Sequence, residues 1–334
     1  MQLVLALPGL AQVTDGDVRA PNLARIIATS RPPARDPDGL DAMLAAYYGI
    51  GHAANADCPL APVRLAALGV DPGTAFWLAA DPVTLVAGRD DVRLTGVVRD
   101  LDPYDAAALI RMLNAHFVTD GIEFVAARPD AWFVRTATRA ALRTRPLAAV
   151  TGRMLRDLLP TGPDSGTWRC WQNEIQMLLH VDPVNAARER DGKLPANSVW
   201  FSEGGTLAPY AGGAGAIRTF ADGGVATALA LHVGRPAQAV PDALDCVLAD
   251  IDHAAVTIVA LAPTLDLEFV ERAWAGPAWT ALVKGTLGAV TLLMDGGTGA
   301  VAWTAHRPGP WRRIASHFGR HDLAPLLAAA REDA

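Results

Sequence analysis

The residues best suited to hold a ligand fall in the middle of the chain. In "WRCWQNEIQMLLH" (168–180), Asn173, Gln176 and His180 recur at i, i+3 and i+7, on a different side of a helix from the apolar Trp168, Trp171, Ile175, Leu178 and Leu179. A polar stripe of this kind lines a ligand cleft or faces water. Asn185 and Arg188 follow in "DPVNAAR". A guanidinium can grip a carboxylate or phosphate through two parallel hydrogen bonds, whereas an asparagine amide can tie a connector to its own backbone. Asn197, Trp200 and Glu203 stand in "ANSVWFSEGG", where Gly204 and Gly205 would let backbone approach a ligand or would make a tight turn. Arg135, Arg139, Arg143, Arg145 and Arg153 add a candidate anion site, although such arginines are commonly solvated or paired singly. His116, His232, His306 and His317 are scattered and read as structural or surface residues. No residue presents itself as catalytic.

These groups need elements to aim them. "QLVLAL" is an apolar run of strand type closed by Pro8 and Gly9, and "PNLARIIA" (21–28) has proline at a helix start with apolar residues at helical spacing. "LDAMLAAYYGI" and "PLAPVRLAALG" read as further helices, and "TAFWLAADPVTLVAG" as two short strands around Asp81 and Pro82. From Asp102 the pattern changes. "DPYDAAALIRMLNAHF" is a capped amphipathic helix, "IEFVAA" and "AWFVRTA" are strands, 168–180 is a long helix and "DPVNAARERDGKLP" a helix-bearing connector. The last third alternates: a glycine-rich loop (212–215), "IRTFA", the helical "VATALALHVG", the strand "HAAVTIVALAP" and the helix "LEFVERAWAGPAWTALVKG". Strands alternating with helices imply a parallel sheet covered on both faces. "VTLLMDGGTGAVAW" departs from that pattern, since Asp295, Gly296 and Gly297 between two β-rich runs signal a hairpin at the sheet margin.

Composition excludes several classes. The 334 residues are 51% hydrophobic and 19% charged, which is an ordered globular composition long enough for one large or two smaller domains. A net charge of −6 offers no reason to expect nucleic acid or an anionic membrane as partner. Cys58, Cys170 and Cys246 are isolated thiols, neither a disulfide framework nor a zinc cluster, and fit a reducing cytoplasm. The N-terminal apolar run lacks a basic flank and is broken by Pro8, so it reads as a strand and not a signal peptide.

"WQNEIQMLLH", "DPVNAARERDGKLPANSVWFSEGG" and "PGTAFWLAADPVTL" resemble the RpfE-type bacterial regulatory proteins over nearly the whole chain. Those resemble in turn, more patchily, the archaeal-type cofactor-independent phosphoglycerate mutases of the alkaline phosphatase superfamily. In the mutases a first strand ends in Asp-Gly and a Thr-Pro-Asn-Leu helix start follows; here "LALPGLA" precedes "APNLARIIA", with Pro8 at the position of the metal-binding Asp. "DPVNAAR" and "PANSVWFSEGG" are similar to the mutases' "HPVN-x-x-R" and "AN-x-x-WLWG-x-G". The resemblance implies two divalent metals, a Ser or Thr nucleophile, and Asp and His ligands at strand carboxyl ends. Each part is thinly represented. Asp15 and Asp17 lie in a loop, and Ser30, the only serine in the first 164 residues, lacks the Pro-Gly-Ser-Asp setting. The late strand offers only Asp266 and Glu268, and Asp252 and His253 precede their strand instead of following it. Asp295 falls at the last Asp-His position, with Gly296 in place of His.

The expected fold is therefore α/β: an alkaline-phosphatase-like, mostly parallel sheet with helices on both faces (1–93 and 194–334) plus an inserted α+β mutase-like cap (94–193). The expected function is that of a degenerate, non-catalytic mutase-like protein acting in regulation or ligand binding, without metal or cofactor. The alternatives are an active phosphomutase or phosphohydrolase with a rearranged site using Asp15, Asp17, Asp266 and Asp295, and a scaffold for a protein partner. Asn173, Gln176, His180, Asn185, Arg188, Asn197, Glu203, Arg135 and Arg153 are the candidate ligand contacts, for a small phosphorylated or carboxylate molecule.

Overall fold

The computed structural model describes residues 1–10, 19–89, 91–210, 216–249, 254–263, 266–296, 299–309 and 323. The chain forms two compact units, Met1–Gly49 with Ala211–Ala334, and Ile50–Tyr210.

The first unit begins with β1 (Gln2–Leu7), α1 (Pro21–Thr29), β2 (Ala34–Asp36) and α2 (Leu40–Tyr47). The second then supplies α3 (Leu60–Ala67), β3 (Phe76–Ala87), β4 (Val92–Val97), α4 (Pro103–His116), β5 (Ile122–Arg128) and β6 (Ala131–Thr136). It ends with α5 (Leu147–Val150), α6 (Ser165–Val181), α7 (Pro183–Arg190) and β7 (Ser198–Gly205). The first unit resumes with β8 (Ile217–Ala221), α8 (Gly224–His232), α9 (Leu244–Ala249), β9 (Val256–Ala260), α10 (Leu267–Val270), α11 (Gly276–Lys284), β10 (Ala289–Gly296) and β11 (Gly299–His306).

Six strands of the first unit line up as β2-β11-β10-β1-β9-β8. β10, β1, β9 and β8 run parallel, and β11 and β2 are antiparallel at one margin. Because side chains alternate across a strand, Leu3, Leu5 and Leu7 pack with Leu23, Ile26 and Ile27 of α1 and with Trp274 and Leu282, while Val4 and Ala6 are buried on the opposite face. On that opposite face the Tyr48 hydroxyl, just past α2, lies 2.6 Å from Thr219 Oγ1. The expected hairpin is present, Gly296 opposing Gly299. The helix read at 267–284 is interrupted by a π-turn over Glu271–Ala275.

The second unit is an antiparallel sheet in the order β4-β3-β6-β5, with β7 on the other side of β3. One face packs Leu78, Phe124, Trp132, Val134 and Phe201 against Leu109 and Leu113 of α4 and Trp168, Ile175 and Leu179 of α6. The other packs Ala79 and Phe133 against Ala61 and Leu65 of α3. Among the described residues no helix is long and apolar enough to cross a membrane.

Two expectations change. The stretch around Asp81 and Pro82 is one strand of 12 residues and not two. The Pro82 carbonyl accepts from the Val98 amide, so its nitrogen, which has no hydrogen to donate, faces the same side of β3. On that side pairing with β6 ends at Ala79 and pairing with β4 begins at Val83, so no acceptor there requires a donor from Pro82. The division of the chain falls at 49/50 and 210/211 instead of 93/94 and 193/194, because β3 pairs with β4 and β6 on one side and β7 on the other, not with the six-stranded sheet.

Candidate functional site

In an open α/β sheet the carboxyl ends of the parallel strands are where ligands and metals are held. At the end of β1 stand Pro8, which has no side-chain donor atom, and Gly9 at φ 79°. The Gly9 amide donates to Asp295 Oδ2 at 2.8 Å. Burial pushes the Asp295 carboxyl above its ordinary value of 3.8, against the pull of that hydrogen bond.

The other described carboxylates of this crest are also committed. Asp266 caps α10, accepting from the Glu268 amide at 2.7 Å, and Glu268 itself is exposed. Asp222, just after β8, accepts from the Val240 amide at 3.0 Å. Glu271 Oε1 takes both the Asn22 amide and Asn22 Nδ2 at 2.7 Å, and its Oε2 takes the Leu23 amide at 3.1 Å. Ala20 at the start of α1 has no side-chain cap, so Glu271, brought in on the π-turn, satisfies helix-end amides that would otherwise lack acceptors.

Among the described residues no three His, Cys, Asp or Glu side chains come together to hold a metal ion. Asp15, Asp17, Asp252, His253, Gly297 and His317 lie outside the described residues. The described donors at the crest do not come together around a pair of dications: one position is proline, and Asp295, Asp266, Asp222 and Glu271 each already accept a backbone amide, which leaves the exposed Glu268. Ser30 Oγ donates to the Ile26 carbonyl at 2.7 Å, at the carboxyl end of α1.

A test of the Asp295 environment follows from its titration. A carboxyl raised in the folded state favours folding fully below its unfolded value, and that contribution fades as pH rises through the folded value. Asp295→Asn keeps an acceptor for Gly9 and removes this loss. Urea unfolding at about pH 4 and about pH 8 is expected to show a smaller fall in stability for the variant than for the parent. An equal fall in both proteins would refute the assignment.

The candidate ligand contacts lie in the second unit, and most are engaged within it. Asn173 and His180 are exposed on α6 and Gln176 is half-buried; the buried polar residue of the helix is Gln172, whose Nε2 donates to the Val199 carbonyl at 3.0 Å. Asn185 exchanges two hydrogen bonds with Ala196, accepting from its amide at 2.8 Å and donating to its carbonyl at 2.9 Å. Asn197 does the same with Leu85, and Asn114 with Phe124. Asn197 and Asn114 thereby satisfy both backbone groups of a strand residue as a neighbouring strand would, and Asn185 does so for the residue leading into β7. Arg188 is buried and makes the two-pronged grip expected of it, but on Asp100: Nη1 to the Asp100 carbonyl and Nη2 to its carboxylate, with Nε on the Leu194 carbonyl. The hydrogen bond from Arg188 holds the exposed Asp100 carboxyl below its ordinary value.

Gly205 does allow a close approach, though to Pro59 and not to a ligand: a Cβ at that position would lie 2.3 Å from Pro59 Cβ. Of the five arginines only Arg135 lines the 710 Å³ surface hollow with Thr74, Asn114 and Glu123, and it is paired with Glu123 at 2.6 Å. Arg143 donates to the Ala56 carbonyl, and Arg153 Nη1 reaches the Ala149 carbonyl at 3.5 Å.

Glu203 belongs to a buried charge cluster that the sequence reading did not assemble. It is the one described non-glycine residue at positive φ, 63°. Arg64 Nη1 donates to Glu203 Oε2 at 2.7 Å and Arg64 Nη2 to Asp81 Oδ1 at 3.1 Å. Nearby, Asp57 accepts from the amide and hydroxyl of Thr144 and from the Gly204 amide. Burial raises the Asp57 and Glu203 carboxyls, with Thr144 opposing at the first and Arg64 at the second. Burial works against the charge on Arg64 as well, but Glu203 and Asp81 outweigh it and keep the guanidinium protonated. A charged residue inside each of two apolar runs, Arg64 in "LAPVRLAALG" and Asp81 in "FWLAADPVTL", was the available signal, because buried charges need partners.

Fold and crest together define an α/β protein with a mostly parallel, two-faced sheet and a separate antiparallel unit. The chain is distantly homologous to archaeal cofactor-independent phosphoglycerate mutases. It is 25% identical over 223 residues to a 2,3-bisphosphoglycerate-independent phosphoglycerate mutase of Methanosarcina acetivorans, covering 63% of this chain and 54% of the relative. It is 27% identical over 190 residues to the Methanosarcina mazei protein of the same name, covering 53% of this chain and 43% of the relative. The chain thus spans about half the length of the curated relatives it matches. No family model matches it. A cofactor-independent phosphoglycerate mutase of Thermoplasma acidophilum superposes with a TM-score of 0.43 at 13% identity, over 98% of both chains. A protein of Pyrococcus horikoshii gives 0.47 at 12% identity, over 100% of this chain and 97% of the other.

Proposed function

We propose that this is a cytoplasmic mutase-like protein that does not exchange phosphoryl groups and acts instead by binding, as a regulatory or ligand-binding protein of the RpfE type. The carrying observation is the crest: Pro8 stands at the end of β1 and the Asp295 carboxylate is engaged by the Gly9 amide. Phosphoryl exchange of the kind the mutase resemblance implies needs dications and an activated hydroxyl. Both require side chains that converge and remain available. A protein without them can still bind a small phosphorylated or carboxylate molecule.

The test combines metal analysis with turnover. Protein purified without chelator is expected to carry less than about one equivalent of Mn²⁺ or Zn²⁺ per chain, and to leave phosphoglycerate isomers unchanged when either ion is added. Two equivalents together with isomerisation would instead support the rearranged active site, with Asp15, Asp17, Asp266 and Asp295 as its candidate ligands. Thermal shifts with phosphorylated three-carbon acids in the absence of metal separate ligand binding from a purely scaffolding role, since a ligand of the folded state raises the melting temperature.

A further inference from the structure

The first unit carries a second hollow, of 230 Å³, lined by Thr29, Arg31, His306, Arg307, Pro308 and Gly309. It lies at the opposite end of the sheet from the crest. His306 pairs with Ala289, the first residue of β10, whereas Asp295 is six residues further along that strand, or about 20 Å away at the usual rise.

We propose that this hollow is a binding site for a small phosphate monoester. Among the described residues its lining holds two guanidinium groups and an imidazole and no carboxylate. Neither Arg31 nor Arg307 forms a side-chain ion pair or hydrogen bond with a described residue, so their donors are unspent. Paired arginines without a counter-anion repel each other, and a dianion relieves that repulsion while matching their planar donor forks.

Arg307 is also placed in advance. Its guanidinium lies against Gly285, the left-handed residue that closes α11, within 3.0 Å of where a Cβ would stand. A Cβ at Gly285 would crowd the guanidinium, so glycine gives the side chain a place against the backbone, and a side chain resting there has less rotamer freedom to lose on binding. The Arg31 amide is bonded to the Thr304 carbonyl at 3.2 Å, which ties the start of the α1–β2 connection to β11 and keeps both arginines at one rim. The volume suits a phosphate bearing a few further atoms and is too small for a nucleotide. A competing explanation is that the two cations only complement the negative ends of α1 and α11. That role requires no ligand. The proposal does not rest on the reading of the crest, since it concerns other residues and other chemistry.

The experiment is calorimetric titration of the full chain with inorganic phosphate, at an ionic strength held constant with sodium chloride. Saturable binding is expected, weakened several-fold by Arg31→Gln or Arg307→Gln and by at least about 10-fold in the double variant. Arg307→Lys, which keeps the charge and loses the fork, is expected to fall between parent and Arg307→Gln. Circular dichroism and melting of each variant check that the exposed substitutions leave the fold intact. No saturable heat above the chloride control would overturn the proposal. So would phosphate binding of undiminished affinity in a folded double variant, which would put the anion elsewhere.

Discussion

Arg64→Ala is expected to lower the stability of the second unit by about 3–5 kcal/mol, the range found when one partner of a buried ion pair is removed. The side chains of Asp81 and Glu203 are only 5% and 12% exposed, and Arg64 is the guanidinium that bonds to both. Its removal leaves two carboxylates with neither water nor cation to solvate them. The contact of the guanidinium with the Phe133 ring, 5.5 Å from its centroid, is lost as well.

The double variant Arg64→Ala/Glu203→Gln gives this a control that a general packing defect would fail. It removes one stranded charge and leaves a side chain at the φ of 63°, so a recovery reads the charge and not relief of the left-handed backbone. It should therefore be clearly more stable than Arg64→Ala alone in urea unfolding followed by tryptophan fluorescence. If the second substitution brings no recovery, the charge cluster is not what makes Arg64 important.

Glu271→Ala should cost about 2–4 kcal/mol in the first unit, because it strands two buried or half-buried amides and an asparagine side chain at the start of α1. Glu271→Gln, which keeps one acceptor oxygen, should cost less. Amide hydrogen exchange localises the effect: the Asn22 and Leu23 amides should lose protection in the alanine variant. A loss of stability under about 0.5 kcal/mol would show that water replaces the carboxylate without penalty, and that the cap is incidental.

Much of the local architecture was legible. The capped start of "DPYDAAALIRMLNAHF" was legible, and the Asp102 carboxylate accepts the amide two residues on; "DPVNAARERDGKLP" was legible as helix-bearing, and Asp182 caps its helix in the same way. The "DGG" between two β-rich runs announced the hairpin, and the alternating last third announced the parallel sheet. The break expected at Pro82 was misleading, because a missing donor is harmful only where an acceptor faces it, and the changeover from β6 to β4 is a property of three strands at once. The domain division escaped for a related reason. Strand and helix succession looks similar in both units, while parallel or antiparallel pairing is set by which strands meet.

The candidate site was legible in its residue types and less so in its partners. Asn185 and Arg188 were singled out for chemistry that they do perform, tying a connector to its backbone and a two-pronged grip, but on Ala196 and Asp100 of the same chain, while Asn197 and Glu203, read as ligand contacts, are engaged by Leu85 and Arg64. His306 was read as a lone histidine, and in space it and its neighbour Arg307 share a hollow with Arg31 from the other end of the sequence. The absence of a carboxylate at Pro8 needs no coordinates, since no fold can give proline a metal-binding side chain. Whether Asp295 was free or engaged, and whether Arg31 would ever meet Arg307, required tertiary structure. A side chain's chemistry is a property of its residue, but its partner lies up to hundreds of positions away and is chosen by the packing of sheets and helices.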